Sequence, residues 1–262
     1  MNKRKPIFRP LAWARLGVLF LAASTTHCFA QAPVPDGLLH RWPGDGNAKD
    51  VAGHDDGKVS GGLRYEDGEA GQAFAFNGSD AAINFGAGAG KFGAGDFTIA
   101  YWMKTHSTRI SEAFLEKRAA CNGGHFFGIR IGSPIPANGL PVHIGQPGLE
   151  IDEGAPGTHV SFMASGPFND GRWHHFAWMR QSTSSGSITY LVYVDGALDN
   201  TMAVPGAADV SNNSPLILGT SVCQCCDGTT PYSGAAKELQ LFSHALSAAE
   251  VFAICNAGKS RQ

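Results

Sequence analysis

Three acidic residues fall within four positions at Glu150-Ile-Asp-Glu153, the side-chain set with which glycosidic bonds are hydrolysed. A retaining hydrolase holds its acid and its nucleophile about 5–5.5 Å apart on one surface. Strand periodicity puts Glu150 and Asp152 on a common face and turns Glu153 to the other unless a bulge resets the register. The spacing misses by one residue. His174-His175 supplies two imidazoles, but neighbours on a strand point to opposite sides and do not share one ion, so both read as structural. Cys223-Gln-Cys-Cys226 invites a metal reading, yet no second cysteine pair and no neighbouring histidine pair completes a zinc site. Asp45, Asn47 and Asp50 offer the hard oxygens that calcium prefers, though not at EF-hand positions. The same Asx side chains also cap their own turns. Gly-x-Ser-x-Gly and His-Glu-x-x-His are absent, and the glycine-rich Gly86 to Gly95 lacks the spacing of a phosphate loop.

The elements that must carry these residues are strands. Asp170 to Arg180 and Ile188 to Gly196 are dense in aromatic and β-branched residues, and the polar Gln181 to Ser187 between them is a turn. Asp195-Gly196 makes a two-residue hairpin into Ala197-Leu198, giving a three-stranded meander. Further strands are predicted at 37–42, 63–65, 70–76, 82–85, 97–103, 113–117, 126–131, 216–219 and 237–242. Residues 133–157, with five prolines, form the longest irregular section, the kind of loop where binding specificity resides. Ser247-Ala-Ala-Glu250 is a capping box for a short helix to about Asn256, with Gly258 just beyond it and Val251, Phe252 and Ile254 packed on the sheets. One all-β sandwich follows. In the meander Trp173, His175, Ala177 and Met179 share one face, and His174, Phe176, Trp178 and Arg180 the other. One face fills the space between sheets. The other lines a concave side where Phe176, Trp178 and Tyr190 stack on sugar rings, or lies under a covering loop.

Asp170-Gly-Arg-Trp-His-His175, Tyr193-Val-Asp-Gly196, Phe97-Thr-Ile-Ala-Tyr-Trp102 and Leu241-Phe-Ser-His-Ala-Leu-Ser247 occur in the order seen in LamG-like (laminin G type) domains of the concanavalin A-like superfamily, which this chain resembles over roughly 36–258. The resemblance implies a jelly roll of two antiparallel sheets with a short C-terminal helix. It implies a structural calcium near Asp45, Asn47 and Asp50, although Ala236-Lys-Glu238 stands where the family often reads Ile-Asp-Glu, so Lys237 is an alternative cation. It further implies that Cys121 bonds Cys223 or one of its neighbours Cys225 and Cys226, with Cys255 tying the helix to another of them. Jelly-roll glycosidases of β-glucans carry Glu-x-Asp-x-(x)-Glu, which Glu150 to Glu153 approaches without matching.

Residues 1–30 read as a signal peptide: Lys3, Arg4, Lys5, Arg9 and Arg15, then an apolar Leu16 to Ala23, then small residues before Gln31. An apolar run of eight does not span a bilayer, which takes roughly 20 residues, and no later segment does, so the mature chain is expected without a transmembrane segment. Export makes the protein secreted or periplasmic and makes disulfides the default state of its five remaining cysteines. Without the leader, 15 basic residues face 22 acidic ones, and a net charge of −7 argues against nucleic acid as partner. These features together favour a non-catalytic module recognising a glycan or an extracellular protein, with a polysaccharide-acting hydrolase or lyase as the alternative.

Overall fold

The computed structural model describes residues 34–68, 71–121, 123–132, 143–153, 159–206, 209–224 and 228–259. The expected leader over 1–30, Cys225 and Cys226, and most of the proline-rich section lie outside the described residues. Among the described residues sixteen strands and one helix follow in chain order. They begin with β1 (Leu38–Trp42), β2 (Lys58–Ser60), β3 (Arg64–Asp67), β4 (Gln72–Asn77), β5 (Ala82–Asn84) and β6 (Phe97–Lys104). Next come β7 (Glu112–Lys117), β8 (His125–Ile131), β9 (Pro147–Glu153), β10 (Val160–Met163), β11 (His174–Ser182) and β12 (Ser187–Val194). The chain closes with β13 (Ala197–Pro205), β14 (Ile217–Leu218), β15 (Thr230–Pro231), β16 (Ser233–Phe242) and helix α1 (Ala248–Lys259).

The strands form two sheets, ordered β13-β12-β11-β6-β16-β4-β3 with β1 also on β16, and β10-β9-β8-β7-β14-β5-β2 with β15 also on β7. All ladders are antiparallel except the two-residue β15–β7 pair. Strand alternation assigns the faces. Phe97, Ile99, Tyr101 and Met103 of β6 and Phe176 and Trp178 of β11 point between the sheets, where they meet Phe127, Ile129 and Ile131 of β8 and Leu149 and Ile151 of β9. Ala100, Ala177 and Met179 point the opposite way and form a second apolar layer with Val251 and Ile254, so α1 covers the outer face of the first sheet. The meander forms as its turn chemistry predicts, with Asp195 at φ 52° and Gly196 at 88° in the hairpin.

Three expectations are corrected. The section 133–157 is not irregular throughout: Pro147–Glu153 is a strand, its proline at the first position where no ladder hydrogen bond is lost. The helix continues to Lys259, so Gly258 lies inside it, held against Trp102. Val251 and Ile254 are buried as expected, but Phe252 is 58% exposed because Cys255, not Phe252, completes the buried stripe.

Candidate functional site

Glu150 and Asp152 share the outer face of the second sheet, as their spacing predicts, since Leu149 and Ile151 between and beside them enter the core. Neighbouring strands bring Glu116 from β7 and Arg130 from β8 to the same face, and Arg118 follows β7 directly. The result is a quartet of two acids and two guanidiniums. Arg118 Nη2 donates to Glu150 Oε2 at 2.8 Å, and Arg118 Nε lies 3.6 Å from Glu116 Oε2. Arg130 Nε lies 3.4 Å from Glu116 and 3.5 Å from Glu150. All four side chains are buried.

Ser221, Cys223 and Thr229, from the chain after β14, meet this face. Ser221 Oγ donates to Glu116 Oε2 at 2.5 Å, Arg130 Nη1 donates to Thr229 Oγ1 at 2.8 Å, and Arg118 Nη1 approaches Cys223 Sγ at 3.5 Å. Arg118 also lies over the Phe126 ring, 3.7 Å from its centroid. Burial pushes the Glu116 carboxyl up, and the Glu150 charge adds to that, while Arg118 and Arg130 oppose the rise. Glu116, Arg118 and Arg130 were not foreseen. Their signal was cross-strand register, which a single sequence does not display.

Phe176, Trp178 and Tyr190 are fully buried between the sheets, so the sugar stacking expected of them is not available: His174, Phe176, Trp178 and Arg180 are the face that fills the core. His174 joins two carboxylates, Nδ1 to Asp195 at 2.9 Å and Nε2 to Asp170 at 3.1 Å, while His175 lies on the other face beside Trp102. The two imidazoles are thus structural and separate. Cys223 is a buried thiol, so of the three partners expected for Cys121 it is not the one used, and the other two, Cys225 and Cys226, lie outside the described residues. Cys255 is buried in α1 against Gly196 of the hairpin.

Asn47 caps its own turn by accepting the Lys49 amide at 3.0 Å, whereas Asp45 accepts the Gln72 amide at the start of β4 at 2.9 Å. Asp50 accepts the amides of Gly53 and Asp55 in its own loop and that of Arg41 on β1. Among the described residues no three His, Cys, Asp or Glu side chains gather as a metal site. Away from the quartet, Lys91, Ser211, Asn212 and Asn213 line an open polar cleft of about 300 Å³ between two loops at one end of the sandwich. Asn212 is fixed there by donating to the carbonyls of Lys117 and His125, whereas Lys91, Ser211 and Asn213 are exposed.

Comparison with known proteins bears on this geometry. A family model described as the concanavalin A-like lectin/glucanases superfamily matches residues 77–252. No curated protein matches the sequence. The fold is similar to domain 4 of AbnA, an extracellular arabinanase from Geobacillus stearothermophilus solved with arabinotriose, at a TM-score of 0.60 and 17% identity, covering 83% of this chain and 98% of that one. It is also similar to the binding domain of botulinum neurotoxin DC, solved with rat synaptotagmin II (TM-score 0.61, 11% identity, 87% of this chain and 53% of that one). The same toxin domain solved with SialylT gives 0.59 and 11%, covering 86% and 52%. This chain therefore spans about half of the toxin domains, and identities this low speak for the fold alone. No helix among the described residues is long and apolar enough to cross a membrane.

Proposed function

The chain belongs to the concanavalin A-like lectin/glucanase superfamily, and from that membership we propose an exported, non-catalytic binding module whose ligand is a glycan or an extracellular protein. The observation that carries this is the state of Glu150. A glycosidase acid must hold a transferable proton and its nucleophile must reach the anomeric carbon. Glu150 instead is buried, 2.8 Å from Arg118 and 3.5 Å from Arg130, on a face where Ser221 and Thr229 bond its neighbours Glu116 and Arg130. The neighbours solved with arabinotriose, SialylT and synaptotagmin II support ligand recognition as a use of this fold. The open cleft at Lys91 and Asn213 offers an ammonium and an amide to a polar ligand without any such cover.

One observation favours catalysis. Glu116 lies in one cluster with Glu150, 3.4 and 3.5 Å from the same Arg130 nitrogen, and burial raises its carboxyl, the direction a general acid requires. A polysaccharide panel decides between the two readings. Binding without release of reducing ends or unsaturated products is expected, and Lys91→Ala together with Asn213→Ala is expected to weaken binding by about tenfold, the equivalent of one or two hydrogen bonds. Product release by the wild type that is lost in Glu116→Gln would overturn the proposal.

A further inference from the structure

We infer that the Arg41 guanidinium does the work of a structural cation where the first loop meets the last strand, so that folding needs no calcium. The two acids on which an ion could draw, Asp50 of the first loop and Glu238 of β16, both meet Arg41, Asp50 at its amide and Glu238 at its guanidinium, and both are already taken. The Asp50 side chain is 0% exposed. Its Oδ1 accepts the amides of Arg41 at 3.0 Å, Ala52 at 3.2 Å and Gly53 at 2.8 Å, and its Oδ2 meets the Asp55 amide at 3.1 Å and His40 Nδ1 at 2.7 Å. Calcium takes about six to eight oxygens at about 2.3–2.6 Å. To reach this carboxylate it would expel N–H groups that then lack an acceptor, a penalty paid for each one left buried.

Glu238 is engaged on both oxygens. Arg41 Nε donates to Oε2 at 2.8 Å and Nη2 to Oε1 at 3.0 Å, the two-pronged geometry in which guanidinium binds carboxylate most strongly. The backbone is shaped to this pairing: Glu238 has φ 53° at an irregularity of the β16–β6 ladder between Lys237 and Gln240. A non-glycine residue in that conformation persists only where its surroundings hold it. At this irregularity Glu238 turns to Arg41 on β1, while Lys237 lies across the rings of Trp102 and Trp173, 5.8 and 5.2 Å from their centroids. The cation that substitutes for an ion is therefore the arginine of the first strand, not the lysine of the last.

Thermal melts of the wild-type protein in EDTA and in millimolar calcium test this directly. Coincident curves are expected; a rise of several degrees with calcium, the signature of an ion bound to the folded state alone, overturns the inference. Arg41→Met, Glu238→Gln and the double variant add a second reading. Each single variant is expected to lower Tm by several degrees and the double to lower it no further than the worse single, because the partners act as one unit. Additive losses overturn the assignment, and failure of a variant to fold leaves the wild-type melts as the deciding measurement.

Discussion

Removing the Glu150 carboxylate would take from Arg118 its partner at 2.8 Å and from Arg130 an acid at 3.5 Å, on a face where all these side chains are buried. Breaking a buried pair by deleting one partner costs more than the pair contributes, because the survivor's charge stays desolvated. Glu150→Ala is therefore expected to destabilise the fold by about 3–5 kcal/mol in urea unfolding. Glu150→Gln keeps an acceptor for Arg118 and should lose less, so a gap between the two variants measures the cost of the empty position. Equal and small losses in both would mean that the quartet is hydrated in solution. The same physics governs any activity assay, where a loss of turnover in Glu150→Ala would report on folding before chemistry. Glu150 and Asp152 were legible as a shared face because period-2 alternation is local. The pairing of Glu150 with guanidiniums was not, because Arg118 and Arg130 are 32 and 20 residues upstream of it and reach it only through the β7–β8–β9 ladder.

At the level of elements, α1 depends on two sequence signals of different reach. Its start is local: Glu250 Oε2 accepts the Ser247 amide and hydroxyl, each at 2.7 Å, and Ser247 Oγ accepts the Glu250 amide at 3.3 Å, the capping box that the sequence predicts. Its end is tertiary. Gly258 reads as a stop signal, yet it remains helical because its bare Cα lets α1 lie on the Trp102 indole. A methyl group there would collide with Trp102 Nε1 on a rigid, fully buried ring. Gly258→Ala, which would favour an isolated helix by up to about 1 kcal/mol, should instead lower stability by about 1–3 kcal/mol through overpacking. A rise in Tm would show that the last turn is frayed. The strands divide the same way. Long strands with apolar alternation, such as β6, β8, β11 and β12, were legible, whereas β2, β10 and β15, of two to four residues, take their conformation from the neighbours they pair with. Pro147 hid β9, although Leu149-Glu-Ile-Asp152 carries the alternation in plain form.

For the molecule as a whole, two buried groups on opposite sheets titrate against each other. Glu112 at the start of β7 accepts the Ser233 amide at 3.1 Å, and burial pushes its carboxyl up from 4.5 to about 7, with Arg109 only partly opposing. Its folded form thus binds more protons than the unfolded chain between those values, and its contribution to stability falls as pH rises through that window. His175, enclosed beside Trp102, is pushed down from 6.5 to about 3 by burial, with Asp195 pulling the other way. Here the unfolded chain binds more protons, so stability is lost as pH falls below 6.5. Between pH 4.5 and 6.5 the two therefore act in opposite directions, each with a limiting slope of about 1.4 kcal/mol per pH unit. Glu112→Gln removes the first slope, so its stability relative to wild type should climb as pH rises from 4.5 toward 7. His175→Gln removes the second, so its stability relative to wild type should climb as pH falls from 6.5. Urea unfolding of the three proteins at several pH values across this range gives the two difference curves. Curves that diverge in opposite directions place both groups in desolvated positions in solution, and a flat curve for either variant shows that water reaches the group it replaced. Depressed carboxyls such as Asp50 and Asp170 have ordinary values of 3.8 and lose their stabilisation only as pH falls below that value, outside this window.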